Sequence, residues 1–286
     1  MGTLESNKRL KLMTMKVRRI ERSIPGLVLL ATCCAVAIVP PARAQHKLIY
    51  KPDGTFGYRD TAVQPWSGYR VHDPDRPAPK KVVPGDFSTQ DRPGRPPSDA
   101  IVLFDGKDLS KWKPNTWKVE NGYVEAGAGQ LETIDEFGSY QLHLEWRVPN
   151  PPQGDIMDRG NNGVLLMGAF EIQIFDPTTK IYPDGQAAAV YGQTPPLVTA
   201  SRSPGEWETY DIVFLAPKFK GDKLEEPARV TVLHNGVLVH HNQEIYGPTT
   251  HARLPMAYRP GVTRAPLTLA GHNNPVRFRN IWIRPL

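Results

Sequence analysis

"RGNNGVLLMGAFEIQIFD", residues 159–176, decides how the rest of the chain is read. Phe170, Ile172 and Ile174 alternate with Glu171 and Gln173, the two-residue period of a strand whose successive side chains point to opposite faces. A carboxylate and an amide therefore share one face while the other joins a core. The preceding loop, Arg159 to Gly163, gathers a guanidinium and the amides of Asn161 and Asn162. Polar residues on one strand face are ordinarily solvated surface. A second run with the same pattern, "YQLHLEWRV" at 140–148, weakens that reading: Leu142, Leu144, Trp146 and Val148 fall opposite Gln141, His143, Glu145 and Arg147. Two such runs predict one concave sheet lined for a polar ligand.

The same period recurs in "IVLFDGKDLSKWK", "WKVENGYVEAG", "TYDIVFLA", "ARVTVLHNGVLVHH" and "VRFRNIWIRPL", separated by Gly, Pro, Asn and Asp. Asn235-Gly236 is the strongest hairpin signal, because both central positions of a type I′ turn need positive φ. After residue 44 no run sustains an apolar helical face over three turns. Many short strands at this spacing predict an all-β sandwich or jelly roll over residues 99–286. Residues 45–98 are rich in Pro, Gly and charge and read as an extended arm or linker.

Residues 1–44 read as a cleaved signal peptide: a basic start, the apolar stretch "GLVLLATCCAVAIVP" and the small-residue site Ala42-Arg43-Ala44. The apolar stretch is shorter than the roughly 20 residues of a spanning helix. Export to the periplasm or the extracellular space is therefore expected, with no stable membrane insertion after cleavage. Both cysteines, Cys33 and Cys34, lie in this segment, so the exported domain must hold together through its core alone. The formal charge of +6 also resides there: eight Lys and Arg against two acids leave 27 of each sign in the remainder. That balance removes the electrostatic reason to expect a nucleic-acid partner.

The loops "DRGNNG" and "YPDGQAAAVYGQTPP" carry amide, guanidinium and phenol groups of the kind that hold sugar hydroxyls, with Tyr182, Tyr191 and Trp207 as stacking surfaces. His272, in a Gly-Asn-Pro turn before the last strand, either caps backbone groups or, beside Glu171, acts as acid or base. His234, His240, His241 and His251 read as exposed hairpin and loop residues. No HxxxH, HExxH or cysteine cluster marks a transition-metal site, but a divalent cation on carboxylates and carbonyls would leave no such mark, so that cofactor stays open. GxSxG, P-loop and dinucleotide-binding motifs are absent.

Eight segments, "LFDGKDLSKWK", "WKVENGYVEAG", "FGSYQLHLEWRVP", "RGNNGVLLMGAFEIQIFD", "DGQAAAVYGQTPPLV", "PGEWETYDIVF", "RVTVLHNGVLV" and "GHNNPVRFRNIWIRPL", resemble in order the bacterial 3-keto-disaccharide hydrolase family over residues 99–286. The resemblance implies a concanavalin A-like jelly-roll sandwich, export, and action on sugars whose 3-hydroxyl has become a ketone. The family pattern Gly-Asn-Ser-Gly is here Gly160-Asn161-Asn162-Gly163. Laminarinase-type strands present two or three alternating carboxylates, whereas this strand has only Glu171, with Glu145 or Asp176 as the missing partner for ordinary glycosidase chemistry. A C3 ketone instead acidifies the C2 hydrogen, so one base suffices for β-elimination followed by hydration. The expected machinery is Glu171, His272 and Glu145 as acids and bases, and Arg159 or a divalent cation at the oxyanion. Asn161, Asn162, Gln173, Asp176, Gln186, Tyr191 and His143 would hold the carbohydrate. A noncatalytic carbohydrate-binding domain and a conventional endo-glucanase are the competing readings.

Overall fold

Whether a polar strand face becomes a cleft or a surface depends on the strand's partners. A computed structural model describes residues 46–286, so the predicted signal peptide and both cysteines lie outside the described residues. Residues predicted as one arm divide after Ala78. The first unit is small. Its strands β1 (Leu48–Tyr50) and β2 (Phe56–Tyr58) form an antiparallel hairpin.

The second unit, from Pro79, is an all-β sandwich. Its strands in chain order are β3 (Ile101–Phe104), β4 (Lys118–Glu120), β5 (Tyr123–Glu125), β6 (Gln130–Phe137), β7 (Tyr140–Arg147), β8 (Asn162–Leu166) and β9 (Phe170–Ile174). After a long excursion come β10 (Glu208–Leu215), β11 (Lys218–Lys220), β12 (Lys223–Glu226), β13 (Arg229–His234), β14 (Val237–Glu244), β15 (Ala265–Gly271) and β16 (Arg277–Pro285). One sheet runs β14-β13-β10-β7-β16-β5-β4, with β3 also on β16. The other runs β6-β15-β8-β9, and β11 and β12 form a separate ribbon. The predicted hairpin joins β13 to β14, with Asn235 at φ 52° and Gly236 at φ 78°. The described residues contain a single short 3-10 turn and no helix long and apolar enough to cross a membrane.

The inner faces of the two large sheets make one core. Leu142, Leu144 and Trp146 of β7 and Tyr210, Ile212 and Phe214 of β10 meet Val164 and Leu166 of β8 and Phe170, Ile172 and Ile174 of β9. Phe170 and Phe214 touch across the sandwich at 5.9 Å between centroids, and the Tyr210 hydroxyl donates to the Gln173 carbonyl at 2.7 Å. Each large apolar side chain so buried stabilises the fold by about 1.5–3 kcal/mol before ordering costs.

This arrangement overturns one expectation. β7 pairs with β10 and β16, whereas β9 pairs with β8. The two polar faces thus belong to different sheets and point away from the shared core on opposite sides. The face of β7 is covered by the segment 86–95. Ser88 donates to Glu145, Gln90 exchanges two hydrogen bonds with the backbone of Trp207, and Arg279 donates to the carbonyls of Thr89 and Gln90.

Candidate active site

The outer face of β9 carries Glu171 and Gln173, and its neighbours build a cavity of about 500 Å³ above them. The first requirement is room. Gly163 on β8 lies beneath the Glu171 side chain; a Cβ there would sit 2.1 Å from Oε1. On the free edge of β9, residues 188–191 add a short stretch of pairing: Gln173 donates to the Ala189 carbonyl, Ala188 to that of Gln173 and Tyr191 to that of Glu171. This pairing sets Tyr191 beside Glu171. The Glu171 backbone N–H donates to Thr249 Oγ1 at 3.0 Å, which pins the loop that carries Thr250 and His251 to the rim.

One wall is a relay of hydroxyls and imidazole. Tyr191 Oη lies 3.0 Å from Tyr182 Oη and 2.7 Å from His251 Nδ1, and the Tyr191 and His251 rings stack within 14°. Tyr182 reaches this position by lying over Gly185, where a Cβ would stand 2.1 Å from its ring. Burial, together with Tyr182, pushes the Tyr191 phenol above its ordinary range. The opposite wall is the loop of Met157, Asp158 and Asn161, with His272 completing the lining from the turn after β15. Asn274 fixes that turn to the loop: its Oδ1 accepts from Gly160 N–H at 3.1 Å and its Nδ2 donates to the Gln153 carbonyl at 3.0 Å.

Glu171 makes no side-chain hydrogen bond or ion pair with any described residue, and burial pushes its pKa up to about 7. A carboxyl of that pKa exists in both forms near neutral pH, which suits proton transfer. Gln173 is buried beside it, with Oε1 accepting from Ile174 N–H at 3.2 Å.

The structure therefore brings together Glu171, Gln173, Asn161, Tyr191 and His272, and it sets the other expected residues elsewhere. Glu145 and His143 lie on the far side of the sandwich because β7 belongs to the other sheet. The Glu145 carboxylate is consumed by Arg279 Nε at 2.7 Å, Asn280 Nδ2 at 2.7 Å and Ser88. His143 Nδ1 lies 2.7 Å from Asp211, and its ring stacks on Trp282. Asp176 caps a turn, accepting from the backbone and hydroxyl of Thr178 and from Thr179. Asn162 faces the core in line with Val164 and Leu166, with no partner for Nδ2, so the amide that departs from the family pattern is not a cavity group. Arg159 stands outside the cavity, its Nε 3.4 Å from the Gly154 carbonyl, and Gln186 folds back onto Pro183. Trp207 is buried under Arg147 and Arg279 and offers no open stacking face.

Two histidines read as exposed are buried: His234 against Glu208 at 2.9 Å and His240 against the Ala188 carbonyl at 2.8 Å. His251 is exposed but lines the cavity, and reading it as a plain loop residue missed it. No periodicity marks it, since it sits in an irregular Pro-containing loop eighty residues after Glu171. Among the described residues no group of three or more His, Cys, Asp or Glu is placed to hold a metal ion.

The family model for the 3-keto-alpha-glucoside-1,2-lyase-like domain matches residues 99–284. The chain belongs to this family. A Parabacteroides distasonis structure, solved as a candidate glycosyl hydrolase, is 38% identical to this chain, with TM-score 0.70, covering 74% of this chain and 93% of that one. A second such structure from the same organism is 23% identical over 65% of this chain and 99% of that one, with TM-score 0.48. The carbohydrate-binding module CBM66 of Bacillus subtilis aligns at 8% identity and TM-score 0.31, covering 60% and 93%. No match was found among curated proteins. The lyase-like domain is thus a concanavalin A-like all-β jelly roll of a carbohydrate-active, hydrolase- or lyase-like enzyme family.

Proposed function

We propose that this is an exported enzyme that cleaves 3-keto-glycosides by elimination and hydration. The observation that carries the reading is the isolated carboxyl of Glu171, pushed up to about 7, facing a phenol–imidazole relay in one cavity. Glu171 removes the C2 proton, whose acidity comes from the neighbouring ketone. The electron pair passes into the C2–C3 bond and the ketone oxygen becomes an enediolate. Return of that pair forms the C1–C2 double bond and expels the C1 substituent, which takes up a proton. Water then adds across C1–C2 and restores the 3-keto sugar.

Chemistry at three centres needs groups on both sides of the ring. The Tyr191 hydroxyl, hydrogen-bonded to His251, donates to the enediolate or to the departing oxygen, where developing charge is stabilised most. His272 faces the same space, while Gln173 and Asn161 hold hydroxyl groups. Export rests on the sequence of residues 1–44.

A second carboxylate, Asp158, also lines the cavity and favours an alternative, two-carboxylate hydrolysis of an unoxidised glycoside. Incubation with a 3-keto-disaccharide and with its unoxidised parent, each in D2O and each with and without chelator, separates the readings. Elimination puts deuterium on C2 of the released sugar beyond that exchanged by E171Q, and D158N stays active. Cleavage of the parent compound with loss of activity in D158N would establish ordinary hydrolysis. Saturable binding of both sugars without product would mark a carbohydrate-binding protein.

A further inference from the structure

Arg147 on β7 and Arg277 on β16 stand directly opposite each other on the outer face of the eight-stranded sheet. Like charges in that register repel and call for compensation. Arg277 has one partner, Glu125, at 2.8 Å from its Nε. Arg147 makes no hydrogen bond or ion pair with any described residue. Its guanidinium lies 4.6 Å from the Trp207 ring centroid and 5.9 Å from that of Tyr123. Such stacking occupies the flat face and leaves the in-plane N–H donors pointing outward from its edge. Arg279, over the same indole at 4.2 Å, adds positive field while its own Nε is spent on Glu145.

The two guanidiniums open onto a cavity of about 360 Å³, whose polar lining includes Asn150 and Gln153. The side-chain amides of both residues make no hydrogen bond to described residues. No carboxylate lines the space; Glu125 approaches only as the partner of Arg277. Gly205 keeps one side open, since a Cβ there would crowd Asn150 at 2.9 Å. Asn150 and Gln153 sit in the loop whose later residues, Met157 to Asn161, wall the Glu171 cavity.

We propose that this cavity is an oxyanion site, separate from the Glu171 cavity, that takes a carboxylate, sulfate or phosphate group. The Arg147 edge forms the principal bidentate contact, Arg277 supplies the second charge, and the amides of Asn150 and Gln153 supply neutral donors. Two guanidiniums that share a single carboxylate suit a flat or tetrahedral oxyanion better than a neutral sugar, which would leave the Arg147 charge uncompensated. The assignment is independent of the reaction at Glu171.

Isothermal titration of the chain with sodium phosphate, sodium sulfate, galacturonate and, as neutral control, galactose tests it. Saturable binding of at least one anion and none of galactose is expected. R147Q should weaken that binding about ten-fold, and E125Q, which frees the edge of Arg277, should tighten it. Tighter binding of galacturonate than of either inorganic ion would place the group on an acidic sugar; the reverse order would identify a free ion. Because R147Q removes packing on Trp207, the side-chain Nε resonances of Arg147 and Arg277 are followed in the unmodified chain as well, and both should move during the titration. No saturable binding by any anion at concentrations on the order of 10 mM, stationary Nε resonances, or unchanged affinity in R147Q would overturn the proposal.

Discussion

Glu171 departs from the usual behaviour of a carboxyl because burial disfavours its charge and no described residue compensates. If it is the base, kcat/KM on a 3-keto-glycoside rises with pH through about 7. E171Q then retains its fold while turnover falls by about 10²–10⁴. The same group makes a stability prediction of definite sign. Its folded pKa exceeds the ordinary value of 4.5, so the native state holds the proton more tightly between about 4.5 and 7. Stability therefore declines as pH climbs through that window and stays lower above it. E171Q removes the decline: its unfolding midpoint at pH 8 should exceed that of the parent chain, by about 1–3 kcal/mol in unfolding free energy, and the gap should close near pH 4. Gly163→Ala probes the floor. The new Cβ must push the Glu171 carboxylate aside, so activity falls further than thermal stability, as paired rate and melting measurements will reveal.

Strands β7 and β9 look alike in sequence and serve opposite ends of the physics. Alternation gives the period of each strand and hence which residues share a face, and this much was legible for both. It does not give the partner strand. β9 pairs with β8 across a three-residue turn, but β7 takes partners that begin at Glu208 and Arg277, and nothing in the run 140–148 encodes that choice. So Glu171, Gln173 and His272, expected together from the sequence, do line one cavity, whereas Glu145 and His143, expected on the same sheet, lie on the other one. Their polarity serves a buried network that binds the segment 86–95 to the sheet. Glu145→Ala leaves Arg279 buried without its carboxylate and should cost about 3–5 kcal/mol of stability in chemical denaturation, with turnover per folded molecule unchanged. Burial opposes the charge on His143, yet Asp211 and Glu145 outweigh it and raise the pKa to about 9. The stabilisation from that cation is complete below its ordinary value of 6.5 and lost as pH rises through about 9. Melting temperatures recorded from pH 6 to pH 10 should show this fall, and D211N should flatten it.

On the scale of the molecule, the sandwich was legible because seven short alternating segments leave few other architectures. The cavity was legible only in part: loops 149–161, 177–194, 246–253 and 272–276 meet around β9 through contacts such as Asn274 to Gly160 and Thr249 to Glu171, which join positions 114 and 78 residues apart. Spacing along a chain carries no trace of such meetings. A chain begun at Pro79 retains the whole sandwich and its cavity, so it should melt cooperatively and match the longer chain in kcat/KM. The fastening of residues 86–95 to the eight-stranded sheet has a practical corollary. Residues 86–95 run along the back of the sandwich, while the mouth above Glu171 opens at the front. Coupled to a bead through a tag placed just ahead of Pro79, the second unit should present its mouth to the medium and accept bulky sugar substrates with unaltered KM, like a cup held by its base.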